Sequence, residues 1–590
     1  MRRIASSLIV ALLVLSLSIL AFNVKPARAQ SGGAIIINPD GSISSPVTAN
    51  ITTSDEITYT FTGNNYLPIV VERSNIIING NGNTLQASGG FGFSLTDMSS
   101  VTIKNTTITK SYYGIFLNSS SSNTLSDNNA TANGIGFYLF ASSNDNTLSG
   151  NNVRANSVYG IYLDNSSSNV LSDNNITANR LFGIDLYSSS DNTLSGNVMA
   201  NNTYNLAVYG FVLSDFVNSI DVSNLVNGKP VYYLIGQSNV LISPQTCPKG
   251  AGYLGLVNCK NMTVQGLTLD KNFPGLLIAN TNDSRIADNN VTASSNYGML
   301  LCYSSGDVAS GNDIIANDAY GIFASCLNNS TLSGNNATAD YGGGIALDSS
   351  SGDVVSGNSF TANNGGGVVL FSSSGNSIFH NDFWNNVPQA QASSNSSNAW
   401  DDGYPSGGNY WSNYQTRYPS AIANDSSAIW NTPYDVASNN IDRYPLMAPF
   451  DSFNVTWNNQ TYPIETVSNS TLSNFNFSAT AKTLTFNVTG TSGTVGFCRV
   501  AIPLSLMSGE WTVTVNGTPI SYSTLYDSNY TYVYFKYMQS TKTVQIQSTN
   551  AVPEFQPFML LPLFMIVTLL GAIAFKKRAK KLNAYESRRP

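Results

Sequence analysis

The sequence predicts an all-β protein: a parallel β-helix with coils of about 23 residues, followed by a small β-sandwich and one C-terminal apolar helix. Three observations carry this prediction. One unit recurs every 23 residues, the strand pattern changes after Phe450, and the stretch from Phe555 to Phe575 is apolar after its opening Phe-Gln-Pro.

The repeat comes first, because a fixed period decides the whole architecture. It reads YGIFLNSSSSNTLSDNNATAN from Tyr113, YGIYLDNSSSNVLSDNNITAN from Tyr159 and YGIFASCLNNSTLSGNNATAD from Tyr320. Asn128, Asn151, Asn174 and Asn197 are each 23 apart, as are Asn289, Asn312, Asn335, Asn358 and Asn381. The two series differ by four periods, so the degenerate stretch between them is expected to hold four further turns, and Asn105 is read as continuing the first series upstream. Apolar residues alternate within each unit, as at Ile161 and Leu163, which is the period of a strand. Ser, Asn, Asp and Gly clusters supply the turns, because Asn and Asp bond their own backbone and tolerate left-handed dihedrals. Three short strands per unit describe one coil, and about 16 to 18 coils at the strand spacing of about 4.8 Å are expected. Stacking places the ten Asn in one ladder whose amides satisfy one another, where an isolated buried Asn would cost about 1 to 3 kcal/mol per unpaired group.

The β-helix is assigned to residues 30–450, with a cap over about 385–450. Beyond it, FNVTW, TLTFNVTG, EWTVTVNG and YTYVYFKY alternate around Asn-Gly and Gly turns without the 23-residue unit, which predicts an antiparallel sandwich over 451–550. The termini read as targeting segments. Arg2 and Arg3, an apolar run from Leu8 to Phe22 and Ala27-Arg28-Ala29 describe a signal peptide over 1–29. Phe555 to Phe575 lacks any charge and matches the roughly 20 residues that cross a bilayer, and the basic tail over 576–590 orients it with the bulk of the chain outside.

Only 10% of the 590 residues are charged, but 42% are apolar and 11% aromatic, so the chain folds. Between Gln30 and Phe575 stand 16 basic residues against 33 acidic ones, a net charge near −17 that excludes nucleic acid as a partner. Of five cysteines, Cys247 and Cys259 flank a Pro/Gly-rich loop and are placed for a disulfide closing it. Cys302, Cys326 and Cys498 show no metal-ligand spacing. Sequons such as Asn129, Asn175 and Asn454 suit a glycoprotein.

The repeats, INGNGNTL from Ile78, NGKPVYYLIGQSNVLI from Asn227, GYLGLVNCKNMTVQGLTL from Gly252, SGGNYWSNY and DRYPLM together resemble the NosD-like right-handed β-helix surface proteins of archaeal character. The resemblance spans roughly Ala34 to Phe450. It implies a right-handed, pectin-lyase-like helix of the carbohydrate-binding or sugar-hydrolase repeat type. Val552-Pro553-Glu554-Phe555 also resembles an archaeal sorting signal, which leaves the C-terminal helix either retained or exchanged for a lipid. The copper role associated with NosD does not carry over: copper takes imidazole, thiolate or thioether ligands, and the chain has one histidine, His380, read as a surface or turn residue.

Candidate chemistry is sparse, and no catalytic residue or metal ligand is assigned. Asp307 and Asp353 are two periods apart, with Asp283 and Arg285 nearby, a weak acidic ladder that turn chemistry explains as well. The richest constellation is WDDGYPSGGNYWSNY, where Trp400, Asp401, Asp402, Tyr404, Tyr410 and Trp411 offer aromatic faces for sugar rings and carboxylates for hydroxyls or calcium. A cap over the last coil is the competing reading of the same residues. The expectation is a cell-surface protein, held in the plasma membrane by its C-terminal helix, that is structural, adhesive or glycan-binding. The alternative is a surface-attached polysaccharide lyase, hydrolase or epimerase. Expected partners are the membrane and polysaccharide or cell-envelope components, with calcium the one cofactor left open.

Overall fold

The computed structural model describes residues 33–552 and 565–578. The signal peptide read at 1–29, residues 555–564 of the apolar stretch and the tail beyond 578 lie outside the described residues. A helix covers 565–578. Among the described residues no helix is long and apolar enough to cross a membrane.

The chain forms two units, residues 1–353 with 361–373 and residues 354–360 with 374–590. Together they contain a right-handed parallel solenoid of about 15 turns, fewer than the 16 to 18 expected. In the first unit a typical coil consists of Thr147–Ser149, Asn152–Arg154 and Tyr159–Asp164. Each strand pairs in parallel with its successor one coil on: Leu148 opposes Leu171, Val153 opposes Ile176 and Ile161 opposes Ile184. Alternation turns one residue of each three-residue strand inward, so Leu148, Val153, Ile161, Leu163 and their equivalents stack with no exposed surface. The glycine of the Tyr-Gly-Ile unit follows from the closeness of the coils. A Cβ at Gly160 would stand 2.6 Å from the Gly183 carbonyl and 2.8 Å from the Asn179 amide.

The buried turns are held by amides. Asn151 donates its backbone N–H and its Nδ2 to Asn174 Oδ1 at 3.0 and 2.9 Å, and Nδ2 also donates to the Leu125 carbonyl at 2.8 Å. The same pattern links Asn128 to Asn151, Asn174 to Asn197, Asn289 to Asn312 and Asn312 to Asn335, and in the second unit Asn358 to Asn381. Asn105 is no member: it is exposed at φ 51°, and Thr106 takes the slot, donating its N–H to Asn128 Oδ1. That coil is one residue short, so extrapolating the period lands beside the turn. Each coil carries further ladders that the single Asn series did not reveal. Asn123, Asn146, Asn169 and Asn192 form one, Asn133, Asn156, Asn179 and Asn202 a second, and Ser120, Ser143, Ser166 and Ser189 a third.

Between Asn197 and Asn289 the coils are unequal. Asn197 bonds Asn224 across an insertion, whereas Leu267 meets Asn289 only 22 residues on. The residues after Tyr209 form the short turn Leu213–Phe216, which covers the outward side of later strands, and Tyr233 donates its hydroxyl to the Phe216 carbonyl. Cys247 and Cys259 are free thiols, not a disulfide; the Cys259 thiol donates to the Leu234 and Val257 carbonyls at 3.4 Å inside a coil turn.

The second unit holds the last coils, their cap and the sandwich. Strands from Phe450 to Ala551 form two antiparallel five-stranded sheets over a core that includes Leu484, Phe486, Val500, Ile502, Val533 and Ile546. Arg499 is buried in this unit and donates to the carbonyls of Pro405, Ser406 and Ser427, locking a sandwich strand to the cap.

Candidate functional site

The outward residues of the long strands in the first unit are aromatic and acidic where the turns are Asn and Ser. Phe116, Tyr138, Tyr162, Asp185 and Ala207 are successive register partners, as are Asn118, Phe140, Asp164, Tyr187 and Tyr209. The residues opening the same strands add Tyr113, Tyr159, Phe182 and Tyr204. Stacking at the coil spacing brings these rings into contact. Phe91 lies 5.4 Å from Tyr113, Tyr113 5.3 Å from Tyr138, Tyr138 5.0 Å from Tyr162 at an interplanar angle of 3°, and Tyr162 4.7 Å from Tyr159. The chain of rings continues through Phe182, Phe273 and Tyr297 to Phe323. Phe91, Tyr113, Phe116, Tyr159, Tyr162 and Phe323 are half-buried, so part of each of these rings reaches the surface, whereas Tyr138, Phe182, Phe273 and Tyr297 are buried.

Two carboxyls sit among these rings. Asp164 accepts from the Tyr138 hydroxyl at 3.0 Å and from Asn165 Nδ2 at 2.7 Å. Burial raises its pKa, and hydrogen bonds from Tyr138, Asn165 and Tyr162 pull it partly back. Asp185 is only 6% exposed, and its Oδ1 has no hydrogen-bond partner. Burial holds its pKa well above the carboxylate range, with the Asp164 charge adding to the rise. Desolvation also lifts the phenols of Tyr138, Tyr159 and Tyr162 far above their usual range and that of Tyr187 to about 12. At neutral pH the cluster therefore presents phenol hydroxyl groups that stay protonated, and among the described residues no salt bridge reaches Asp164 or Asp185.

None of these residues was singled out from the sequence, although the signal was present: in FGIDLY and YGIYLD the alternation that sends Ile and Leu inward sends Asp185 and Asp164 outward. The constellation that was singled out lies in the cap. Trp400 and Trp411 are 0% and 1% exposed, donating Nε1 to Asn440 Oδ1 and Asp442 Oδ2. Asp401 is buried and accepts two bonds from the Arg443 guanidinium, at 2.7 and 2.9 Å. These three have no face left for a ligand, because residues 31 to 42 positions later fold over them. Asp402 accepts from Ser406 at 2.9 Å, Tyr404 donates to Asp425 at 2.6 Å, and Tyr410 packs 4.8 Å from Trp384. His380, expected as a surface or turn residue, stands at a turn with φ 57° but is buried: its ring stacks 4.2 Å from Phe450, Nε2 lies 3.2 Å from Ser406 Oγ, and burial depresses its pKa to about 3. Asp307 and Asp353 do not share a groove with Asp283 and Arg285. They face into the turn ladders, accepting the N–H groups of Ser284 and Ser330, while Asp283 pairs with Lys260 at the surface.

The family comparison fits this geometry. The profile described as "Periplasmic copper-binding protein (NosD)" matches residues 214–416, and "Right handed beta helix region" matches residues 67–226. The chain is similar to NosD over residues 214–416, within its right-handed parallel β-helix. No curated protein matches it. Among solved structures it is similar to the Dettilon tailspike protein, at 12% identity over 83% of this chain and 86% of that one, with a TM-score of 0.20. It is also similar to the periplasmic alginate epimerase AlgG, at 14% identity over 55% and 78% with a TM-score of 0.24. A GH87 α-1,3-glucanase from Streptomyces thermodiastaticus matches at 13% over 57% and 69%, again with a TM-score of 0.24. At such scores no activity is read across.

The donor set does not fit copper. Among the described residues no group of three His, Cys, Asp or Glu could hold a metal ion. Within the NosD-matched span the one histidine is stacked and bonded to Ser406, and the Cys259 thiol is bonded to carbonyls.

Proposed function

We propose that this NosD-like protein binds polysaccharide along the aromatic strip of its β-helix, from a position outside the cytoplasm. The observation that carries the reading is the series of ring contacts from Phe91 to Phe323, six of whose rings are half-buried and reach the surface, on a scaffold whose coils repeat about every 4.8 Å. Aromatic faces stack on the apolar faces of sugar rings, and a long row of them suits an extended polymer better than a single small molecule. The extracytoplasmic placement rests on the leader read at 1–29 and on the family description. Anchoring by the stretch at 555–575 is part of the same proposal, and protease treatment of intact cells, with an epitope after Pro590, tests it.

The lyase or epimerase alternative needs a general base beside the bound sugar. Burial holds the Tyr159 and Tyr162 phenols protonated, and both oxygens of Asp164 are engaged by Tyr138 and Asn165, which favours binding. A glycan array probed with the full-length protein and with a Phe116→Ala/Tyr162→Ala variant is the test: the protein should retain polysaccharides that the variant releases, and equal retention by both would overturn the proposal.

A further inference from the structure

We propose that Asp185 and Asp164, with the rings of Tyr159, Tyr162 and Tyr187, form a subsite selective for uncharged pyranose units over uronates. This rests on the glycan-binding reading above and adds the class of sugar.

The ring series on the outward face runs Phe116, Tyr138, Tyr162 and then stops: the next coil places the Asp185 carboxyl in the slot where the earlier coils have a ring. Asp185 is more than nine-tenths buried and Oδ1 is unpartnered, whereas the neighbouring Asp164 has both oxygens engaged. Orphaned buried polar groups of this kind are costly and are rarely kept without a use. Around it Tyr159, Tyr162 and Tyr187 are half-buried, so the floor is polar and the rim is a set of aromatic faces. A pyranose presents the matching pattern, with apolar C–H groups for the exposed parts of the Tyr159, Tyr162 and Tyr187 rings and hydroxyls for Asp185 Oδ1 and the phenols.

Charge sets the class. A uronate would have to bring its carboxylate beside Asp164 and Asp185, where among the described residues no salt bridge supplies a cation. A charge desolvated at such a site lacks the compensation that polyuronate binding requires. An uncharged hexose meets no such penalty.

The test uses the full-length protein and two sets of oligosaccharides of equal length, neutral gluco- and manno-oligosaccharides against oligomannuronate and oligogalacturonate, titrated at pH 7 by calorimetry. A neutral set binding at least tenfold tighter than the uronates is the expected result. Asp185→Leu should weaken neutral binding at least tenfold with a melting temperature no lower than the parent's, and Asp185→Asn, which restores a neutral hydrogen-bonding group, should bind within about threefold of the parent. Uronates binding as tightly as neutral sugars, or Asp185→Leu binding like the parent, overturns this inference and leaves the glycan-binding reading standing. Absence of binding to either set overturns both. The comparison of sugars on the unaltered protein decides the matter even where a variant fails to fold.

Discussion

Replacing Asn174 with Leu tests the ladder at its centre. Asn174 accepts at Oδ1 from the Asn151 backbone N–H and from Asn151 Nδ2, and its own Nδ2 donates to Asn197 Oδ1 and to the Leu148 carbonyl. Leu fills nearly the same volume and makes none of the four bonds. At about 1 kcal/mol net for each, and with the buried Asn151 N–H left with no acceptor, the loss is about 4 kcal/mol. Because each coil contacts only its neighbours, the loss should be local, opening the coils around residues 151 to 197 before the rest. Native-state hydrogen exchange resolved by coil is the assay. Amides of Asn151 and Asn174 should exchange on the order of a thousandfold faster, with the strands near Ile35 and Ile37 unchanged. Exchange at the parent rate would refute the ladder as a source of stability.

Four other outcomes follow from the same coordinates. Gly160→Ala should destabilise strongly, because its Cβ would lie 2.6 Å from the Gly183 carbonyl, and denaturant midpoints will show it. Asp340 stands in an amide ladder, accepting from Asn317 at 2.9 Å through Oδ1, and burial raises its pKa to about 7. A raised carboxyl favours the fold most below its unfolded pKa, and that contribution fades as pH climbs from about 4 towards 7. Asp340→Asn should therefore stabilise at pH 7, by at most about 4 kcal/mol, and change little at pH 4, as melting curves at the two pH values will report. Arg499→Met, which removes the guanidinium bonded to Pro405, Ser406 and Ser427, should cost roughly 3 kcal/mol and lower the melting temperature. Trp411→Ala should cost about 3 to 5 kcal/mol through its buried ring and leave glycan affinity unchanged, since the cap has no open face there.

Period and alternation made the coils legible in the sequence, because a strand repeat that stacks on itself must keep its phase. Compensation hid the irregular coils: the long step from Asn197 to Asn224 is offset by shorter steps between Asn224 and Asn289, which restore the four-period spacing between the two Asn series, so equal coils and unequal ones look alike. Asn105 failed for the same reason, a coil one residue short. The cap misled because Trp400, Asp401 and Trp411 look like a ligand site until Asn440, Asp442 and Arg443 cover them, and no local pattern announces those partners. Asp164 and Asp185 were readable in principle from alternation alone. They were overlooked because a single Asp in an Asn-rich repeat looks like turn chemistry, and only the stacked coils show it standing among rings.

The central claim is that a polysaccharide lies on the outward face of the coils and not on the cap. Hydrogen exchange of the full-length protein with and without a bound neutral oligosaccharide locates the contact directly. Protection confined to Tyr113–Asn118, Ile135–Phe140, Tyr159–Asp164 and Phe182–Tyr187 is the predicted footprint; protection at residues 400–414 with none on those strands would contradict it.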